Sequence, residues 1–418
     1  MKKALFIFSV FHFSFFTLSA QSKWSPRANL PDSARGYGVG FSIGNYGYAG
    51  LGGKLMGKWK FFTDFWQFNP SNNSWTRKAD FPGRARICPT TFVIGNCAYV
   101  VCGAENNSGN DLQTECWQYN SITDKWAQKK NFPGLSRYSA VGFAIGNKGY
   151  MGTGYDTLFN NVLKDFWEYD TIADTWTRKN DFGGIARYAA SGFAVGGNGY
   201  ICFGADSDGA FNYITANDMW KYDTTTDSWT QKSSNLTDSL ATASGFVIGN
   251  NIYVGTGESY FPVRGFTSFW QYNTITDTWT QEANFIGGKR CVCSAFAVGD
   301  TGYLGLGIYD TSFIGTTTMY KFLADSTTGI NELQAYATYI NVYPNPFSEN
   351  CIIFIADNYS YVPQSLKLYD IEGREIEMTI KKMGSNYSLK RDNLPDGTYI
   401  LSIEFNDQII HKKLIITN

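Results

Sequence analysis

Only two histidines occur in the 418 residues, at positions 12 and 411. A Ser-His-Asp or Cys-His nucleophile system, or a metal site needing two imidazoles, has nothing in the long central stretch to be built from. The polar chemistry that remains is carried by arginines at regular intervals: Arg35, Arg86, Arg137, Arg187 and Arg290, with Leu240 where a sixth would fall. Acidic residues follow, at Glu105, Asp156, Asp206, Glu258 and Asp310, and rings gather in the same stretches, among them Trp59, Phe61, Phe62, Tyr155, Tyr213, Tyr260 and Tyr309. Guanidinium forks suit carboxylate and phosphate groups, and rings combined with carboxylates and arginine suit a carbohydrate. Two readings stand side by side. An arginine paired to one of these carboxylates holds a loop in place and is not free for a ligand, and the rings can equally pack the loops down. Alternatively the arginines form a positive collar, with Arg264 standing in for Leu240, and Glu105 or Glu258 does acid and base work near Arg86 or Arg290 if burial raises its pKa.

The elements that must position these residues are visible as a repeat. Tryptophans recur nine residues apart, at 66/75, 117/126, 167/176, 220/229 and 270/279, and a Phe and a Tyr recur seven apart, from Phe41/Tyr48 to Phe296/Tyr303. Six copies of about 50 residues follow one another. Each reads as four strands. Strand A runs from the Arg to the Phe, and a turn such as Gly146-Asn147 leads to strand B with the Tyr. Strand C carries the first Trp, and a turn such as Asp170 to Asp174 leads to strand D with the second. The spacings Arg to Phe, Phe to Tyr, Trp to Trp and Trp to the next Arg position are constant, and only Tyr to the first Trp varies, from 17 to 20. Length variation is therefore confined to the B–C loops, where a rigid scaffold places function. Because strand direction alternates, the B–C and D–A loops share one face.

Four-stranded units of this length packed radially are the signature of a β-propeller. The sixth copy lacks a fourth strand, and Trp24 precedes Arg35 by the same 11 residues found elsewhere. The N-terminal strand is thus expected to complete the last blade of a six-bladed ring and remove a sheet edge. These marks, with the aromatic-Tyr-Asp turn of Trp220-Lys221-Tyr222-Asp223, resemble the kelch-repeat family of the galactose oxidase superfamily over residues 22–325. The resemblance implies that strand A is innermost and that its opening arginine rings the mouth. The copper chemistry of galactose oxidase does not carry over, since the propeller has no histidine. The chain also resembles the metal-free, six-bladed sialic acid mutarotases in its mouth arginines and carboxylates. The expectation is a glycan- or protein-binding module using the B–C and D–A face, with a metal-free sugar-processing enzyme as the alternative and no cofactor in either case.

Past Thr328 the Trp pattern stops and short Ile- and Leu-rich runs read as a small β-sandwich. Four motifs there resemble the type A C-terminal sorting domain of the type IX secretion system. They are Tyr343-Pro344-Asn345-Pro346-Phe347, Leu368 to Arg374 with Gly373, Leu394 to Tyr399 with Gly397, and Lys412-Lys413 in the final run. At the other end, Lys2 and Lys3, the apolar stretch Ala4 to Leu18 and Ser19-Ala20 give the order of a secretory signal, too short for the roughly 20 residues of a membrane span. The expected organisation is a signal peptide (1–20), a six-bladed propeller (21–328) and a sorting domain (329–418), in an all-β, monomeric chain exported to the cell surface or the medium. Lys plus Arg (35) nearly balance Asp plus Glu (36), so no basic excess points to nucleic acid. The eight cysteines have no metal spacing and read as buried thiols, although a bridge such as Cys88 to Cys102 is open.

Overall fold

The computed structural model describes residues 23–324 apart from 57, 106–110, 157, 159–160, 208–212, 235, 261–262 and 310–313, and residues 340–417 apart from 356–362, 385 and 406–407. The expected signal peptide therefore lies outside the described residues. The chain divides into two units, Met1–Ala324 and Asp325–Asn418.

The first unit is a β-propeller. Among its described residues are six four-stranded antiparallel sheets, five of them running A-B-C-D in chain order. The third is typical, with Val141–Ile145, Lys148–Gly152, Phe166–Asp170 and Thr175–Lys179. The last sheet contains Ser294–Val298, Thr301–Gly305 and Met319–Leu323, and its outer strand is Trp24–Arg27 from the start of the unit, with Trp24 opposite Phe322 and Arg27 opposite Met319. A second closure lies inside. Tyr37, Cys88, Ser139, Ala189, Thr242 and Val292 occupy the same position just before strand A and all have positive φ, between 48° and 62°. Each donates its amide to the carbonyl of the preceding one, and Tyr37 donates to Val292 at 3.1 Å, so six hydrogen bonds form a closed circle. The left-handed backbone costs each non-glycine residue something, and the bond across to the next blade offsets it.

Aromatic residues pack the blades against each other. Phe166 of one blade meets Tyr222 and Trp229 of the next at 4.9 and 5.0 Å, edge to face, the geometry favoured by ring quadrupoles. The strand-D indoles stitch backward: Trp75, Trp126, Trp176 and Trp279 donate to backbone carbonyls of Ala28, Ala79, Lys130 and Ser233, and Trp24 donates to Ala283. Strand B of the third blade needs glycine at 149, because a Cβ there would collide with the Phe92 ring of the previous blade. All eight cysteines are free thiols, so the Cys88 to Cys102 bridge does not form. Burial pushes both of these thiols up to about 12, which keeps them protonated and unreactive.

The second unit is a β-sandwich. One sheet holds Ile340–Tyr343, Asn350–Ile355, Asn386–Lys390 and Thr379–Met383, and the other holds Glu375–Ile376, Ser365–Tyr369, Gly397–Phe405 and Gln408–Ile416. Cys351, Ile353 and Leu389 from the first meet Leu368, Leu401, Ile403 and Leu414 from the second in a common core. The sequence motifs converge on the final strand. The Asn345 side chain donates to the Lys413 carbonyl and accepts from the Ile415 amide, both at 2.8 Å, and Phe347 bridges to Ile416 in parallel. Gly373 supplies the positive φ (83°) of a turn whose Asp370 carboxylate accepts the amides of Glu372 and Arg374.

Candidate functional site

The starts of the A strands line the propeller's central channel, where a cavity of about 190 Å³ is bordered by Gly38, Gly40, Thr91, Gly192, Ser244 and Cys293, among others. The arginines that open the repeats do not border it. Arg35, Arg86, Arg137, Arg187 and Arg290 are completely buried, and four of them are committed to carboxylates: Asp64, Glu115, Asp165 and Asp218. Arg137 shows the pattern. Its two terminal nitrogens bond Asp165 at 2.6 and 2.8 Å, Nη1 also reaches the Thr153 carbonyl, Nε reaches the Leu135 carbonyl, and the guanidinium lies 4.9 Å from the Phe132 ring. Asp165 further accepts from the Trp167 indole at 2.7 Å.

Of the two readings of these arginines, the positive collar suggested by the kelch resemblance does not form, and the loop-holding one describes four of them, folded inside the blades where they tie the B–C loop to its own sheet. The partner also differs from the one expected. The carboxylate stands at the far end of the B–C loop, directly before strand C, whereas the early acid Glu105 pairs with exposed Arg84. In the fifth blade both members are absent together: Leu240 and Ser268 take the two positions, and the Trp270 indole turns to Asp238. In the sixth, Thr318 stands in the acid's place, and Arg290 bonds it at 3.0 Å while lying between the rings of Phe285 and Tyr309.

The mouth is formed by the residues beside the arginines. In each blade the residue after the Arg position faces a residue of the B–C loop across a backbone bridge: Tyr138 with Tyr155, Tyr188 with Ala205, Ala241 with Glu258, and Cys291 with Ile308. Rings run continuously over three blades, Tyr138 to Tyr155 at 5.8 Å, Tyr155 to Tyr188 at 5.5 Å and Tyr188 to Tyr260 at 6.0 Å, the last pair stacked at 17°. From the first blade, Tyr37 meets the Trp59 ring and has Cys291, Cys88, Glu258 and Tyr138 as neighbours. Burial first, and then these neighbours, push the Tyr37 hydroxyl well up, so it remains a protonated donor. The Cys291 thiol is raised by burial and by the carboxylate of Glu258, to which it is hydrogen-bonded. Glu258 is thus the carboxylate that the fold brings to the centre of this surface.

The other expected site residues scatter around it. Trp59 meets Tyr37 at 5.7 Å. Arg264, on the hairpin that carries Glu258, is exposed and lies 5.2 Å from the Phe266 ring. Asp156 is fully buried, with one oxygen accepting the Leu158 amide and the other without a partner among the described residues. Asp206 sits half-buried opposite Ile214 in the fourth blade's hairpin. The side chain of Tyr213 and all of Asp310 lie outside the described residues. Sequence reasoning missed Tyr37, Tyr138, Tyr188 and Cys291. The available signal was that the residue after each Arg varies, from Gly36 to Ile87 to Tyr138, inside a frame whose other spacings are constant. Among the described residues no three His, Cys, Asp or Glu side chains group as metal ligands.

Comparison with known proteins adds three findings. Curated relatives called N-acetylneuraminate epimerase match from Yersinia enterocolitica, 31% identical over 94 residues (22% of this chain, 23% of that protein), and from Haemophilus influenzae, 29% over 156 residues (37% and 40%). One from Vibrio cholerae is 28% identical over 124 residues (28% and 31%). The chain thus spans less than half the length of the curated relatives it matches. A solved structure titled "Structure of YjhT" superimposes with a TM-score of 0.60 at 15% identity, covering 72% of this chain and 97% of that one, and so shares the propeller fold. The family model described as "Secretion system C-terminal sorting domain" matches residues 341–417, the span in which the four motifs converge. The second unit is therefore a type IX sorting domain, and the chain is a β-propeller addressed by it to the cell surface or the medium.

Proposed function

We propose that the propeller is an exported sugar-binding module whose ligand seats on the B–C and D–A face, over the channel mouth. The observation that carries this is the continuous run Tyr138, Tyr155, Tyr188 and Tyr260 beside the Glu258 carboxylate. Ring faces accept the C–H faces of a sugar, and a carboxylate with phenol donors orients its hydroxyls. Arg264 is the exposed cation of this rim for an acidic group. The relatives' name supports a sugar acid of the N-acetylneuraminate type as the first ligand to try. Titration calorimetry of the full chain with N-acetylneuraminate, together with a glycan array, tests the reading. Tyr188→Ala and Glu258→Gln are expected to lower affinity at least tenfold. No binding to any sugar, with a protein ligand captured instead, overturns it.

A second reading has its own observation. Glu258 lies beside the protonated Tyr37 phenol and Cys291 thiol, a carboxylate with donors next to it, as proton transfer during sugar ring opening requires. Exchange between the anomers of N-acetylneuraminate, followed by NMR, distinguishes the two. Catalysis abolished by Glu258→Gln favours the enzyme, and binding without exchange favours the module.

A further inference from the structure

The hairpin that opens the first blade's B–C loop carries three lysines and no acid. Gly53–Met56 pairs with Lys58–Phe61, in a register that sets Lys54 directly opposite Lys60. Directly opposed residues, and residues two apart, share one face of a strand pair, so Lys54, Lys58 and Lys60 project from the same side. Like charges directly opposite each other destabilise such a pair, and a two-stranded hairpin has little stability to spare. The ammonium groups of Lys54 and Lys60 lie 5.9 and 5.6 Å from the Phe62 ring, and the Arg35 guanidinium lies 4.2 Å from the same ring. Asp64 offers them nothing, because both its oxygens bond Arg35 and one also accepts from the Trp66 indole. Among the described residues none of the three lysines makes an ion pair. On the same hairpin Trp59 stacks on Phe61 at 5.9 Å and 6°, and Trp59 touches Tyr37 at the mouth.

We propose that this hairpin is a docking arm for an acidic polysaccharide, a sugar chain bearing carboxylate or sulfate groups. Such a chain supplies the countercharge that the Lys54–Lys60 register lacks on the lysine face, while Trp59 and Phe61, on the other face, pack the arm against Tyr37. The charge of the rest of the face selects this class over nucleic acid. The whole chain has a formal net charge of −1, and the other loops around the mouth carry Asp111, Asp206 and Glu258. A polymer with a charge on every unit runs into those carboxylates, whereas one with spaced charges can engage the first blade alone. The sorting domain delivers the propeller to the side of the envelope where such polysaccharides occur. The arm is separate from the tyrosine run and works whether or not that run reads a sugar.

The test uses the full chain and hyaluronate, which carries a carboxylate on every second sugar, with neutral dextran and single-stranded DNA as comparators, in binding titrations at low ionic strength. Hyaluronate is expected to bind and dextran not to, with binding lost in about 1 M salt, where the screening length falls to about 3 Å. Replacing Lys54, Lys58 and Lys60 together by Gln is expected to weaken it about 100-fold, roughly fivefold for each lysine. A control replacing Lys125, Lys129 and Lys130 by Gln makes the same change in net charge and is expected to cost less than about threefold. Equal loss in both variants, no loss in the first, or tighter binding of DNA than of hyaluronate overturns the proposal. An unchanged or raised Tm for the first variant shows that lost binding is not lost folding.

Discussion

The buried Arg137–Asp165 pair gives a demanding test of why the mouth arginines are where they are. Asp165→Ser removes the carboxylate that bonds both terminal nitrogens of a guanidinium with no exposed surface. An unpaired charge is left inside, at a cost of about 3–5 kcal/mol, and the Trp167 indole loses its acceptor, which adds about 1 kcal/mol. For a propeller of this size that lowers Tm by roughly 5–8 °C. The fifth blade already contains the remedy. Leu240 and Ser268 fill the same two positions, and Leu240 is fully buried. Adding Arg137→Leu to Asp165→Ser should therefore restore about 2–3 kcal/mol, because a buried leucine beside a small hydroxyl, the pair the fifth blade holds, replaces a stranded charge. Chemical denaturation of both variants, followed by tryptophan fluorescence, reads the difference. If the double variant is less stable than Asp165→Ser alone, or Asp165→Ser costs under about 1 kcal/mol, the arginines are not holding the loops as described. Sugar affinity at the mouth should be equal in the double variant and the parent, since no part of the pair reaches that surface.

Trp24→Ala should cost about 3–5 kcal/mol in the same denaturation assay, because Trp24 is 2% exposed among Phe269, Phe285 and Phe322 and closes the ring through Ala283. Acid should destabilise the propeller in a defined window. Burial tends to raise the Asp165 and Glu115 carboxyls, but hydrogen bonds and charge from Arg137 and Arg86 hold both below their ordinary values. The stability they contribute is complete above about pH 5 and is lost as pH falls through their folded-state values. A pH series of denaturation midpoints should show this, with a shallower fall for Arg137→Leu/Asp165→Ser. A thiol reagent added to the native protein should titrate Cys102, Cys116 and Cys202 only slowly, since all three are buried, and should find eight thiols after denaturation of the full chain; fewer would mean that a bridge forms.

The fold was legible because the residues that pack blade on blade are large, aromatic and constrained to constant spacings. Trp24 could be matched to Trp75 and Trp176 by its distance to the next Arg position alone, and the strand it forms pairs with Met319–Leu323 as that distance implies. The sorting domain was legible for a different reason, in that Asn345, Gly373 and Phe347 each make one irreplaceable turn or clamp. The site was legible only in outline. Spacing locates Arg137 but not the direction of its side chain, and the decisive partner, Asp165, lies 28 residues away across the loop whose length varies. The left-handed backbone at Tyr37, Cys88, Ser139, Ala189, Thr242 and Val292 could not be read from residue type, because no two of the six agree and none is glycine. That turn buries the arginine and leaves its neighbour at the mouth, so the tyrosines did not stand out in the sequence.

In the proposed site the tyrosine run and Glu258, and not the arginines, meet the ligand. A glycan array with parent, Tyr188→Ala and Arg137→Leu/Asp165→Ser proteins tests it in one measurement. The parent and the double variant are expected to bind the same sugars with the same strength, and Tyr188→Ala to lose at least tenfold. Loss in the double variant with retention in Tyr188→Ala would contradict it.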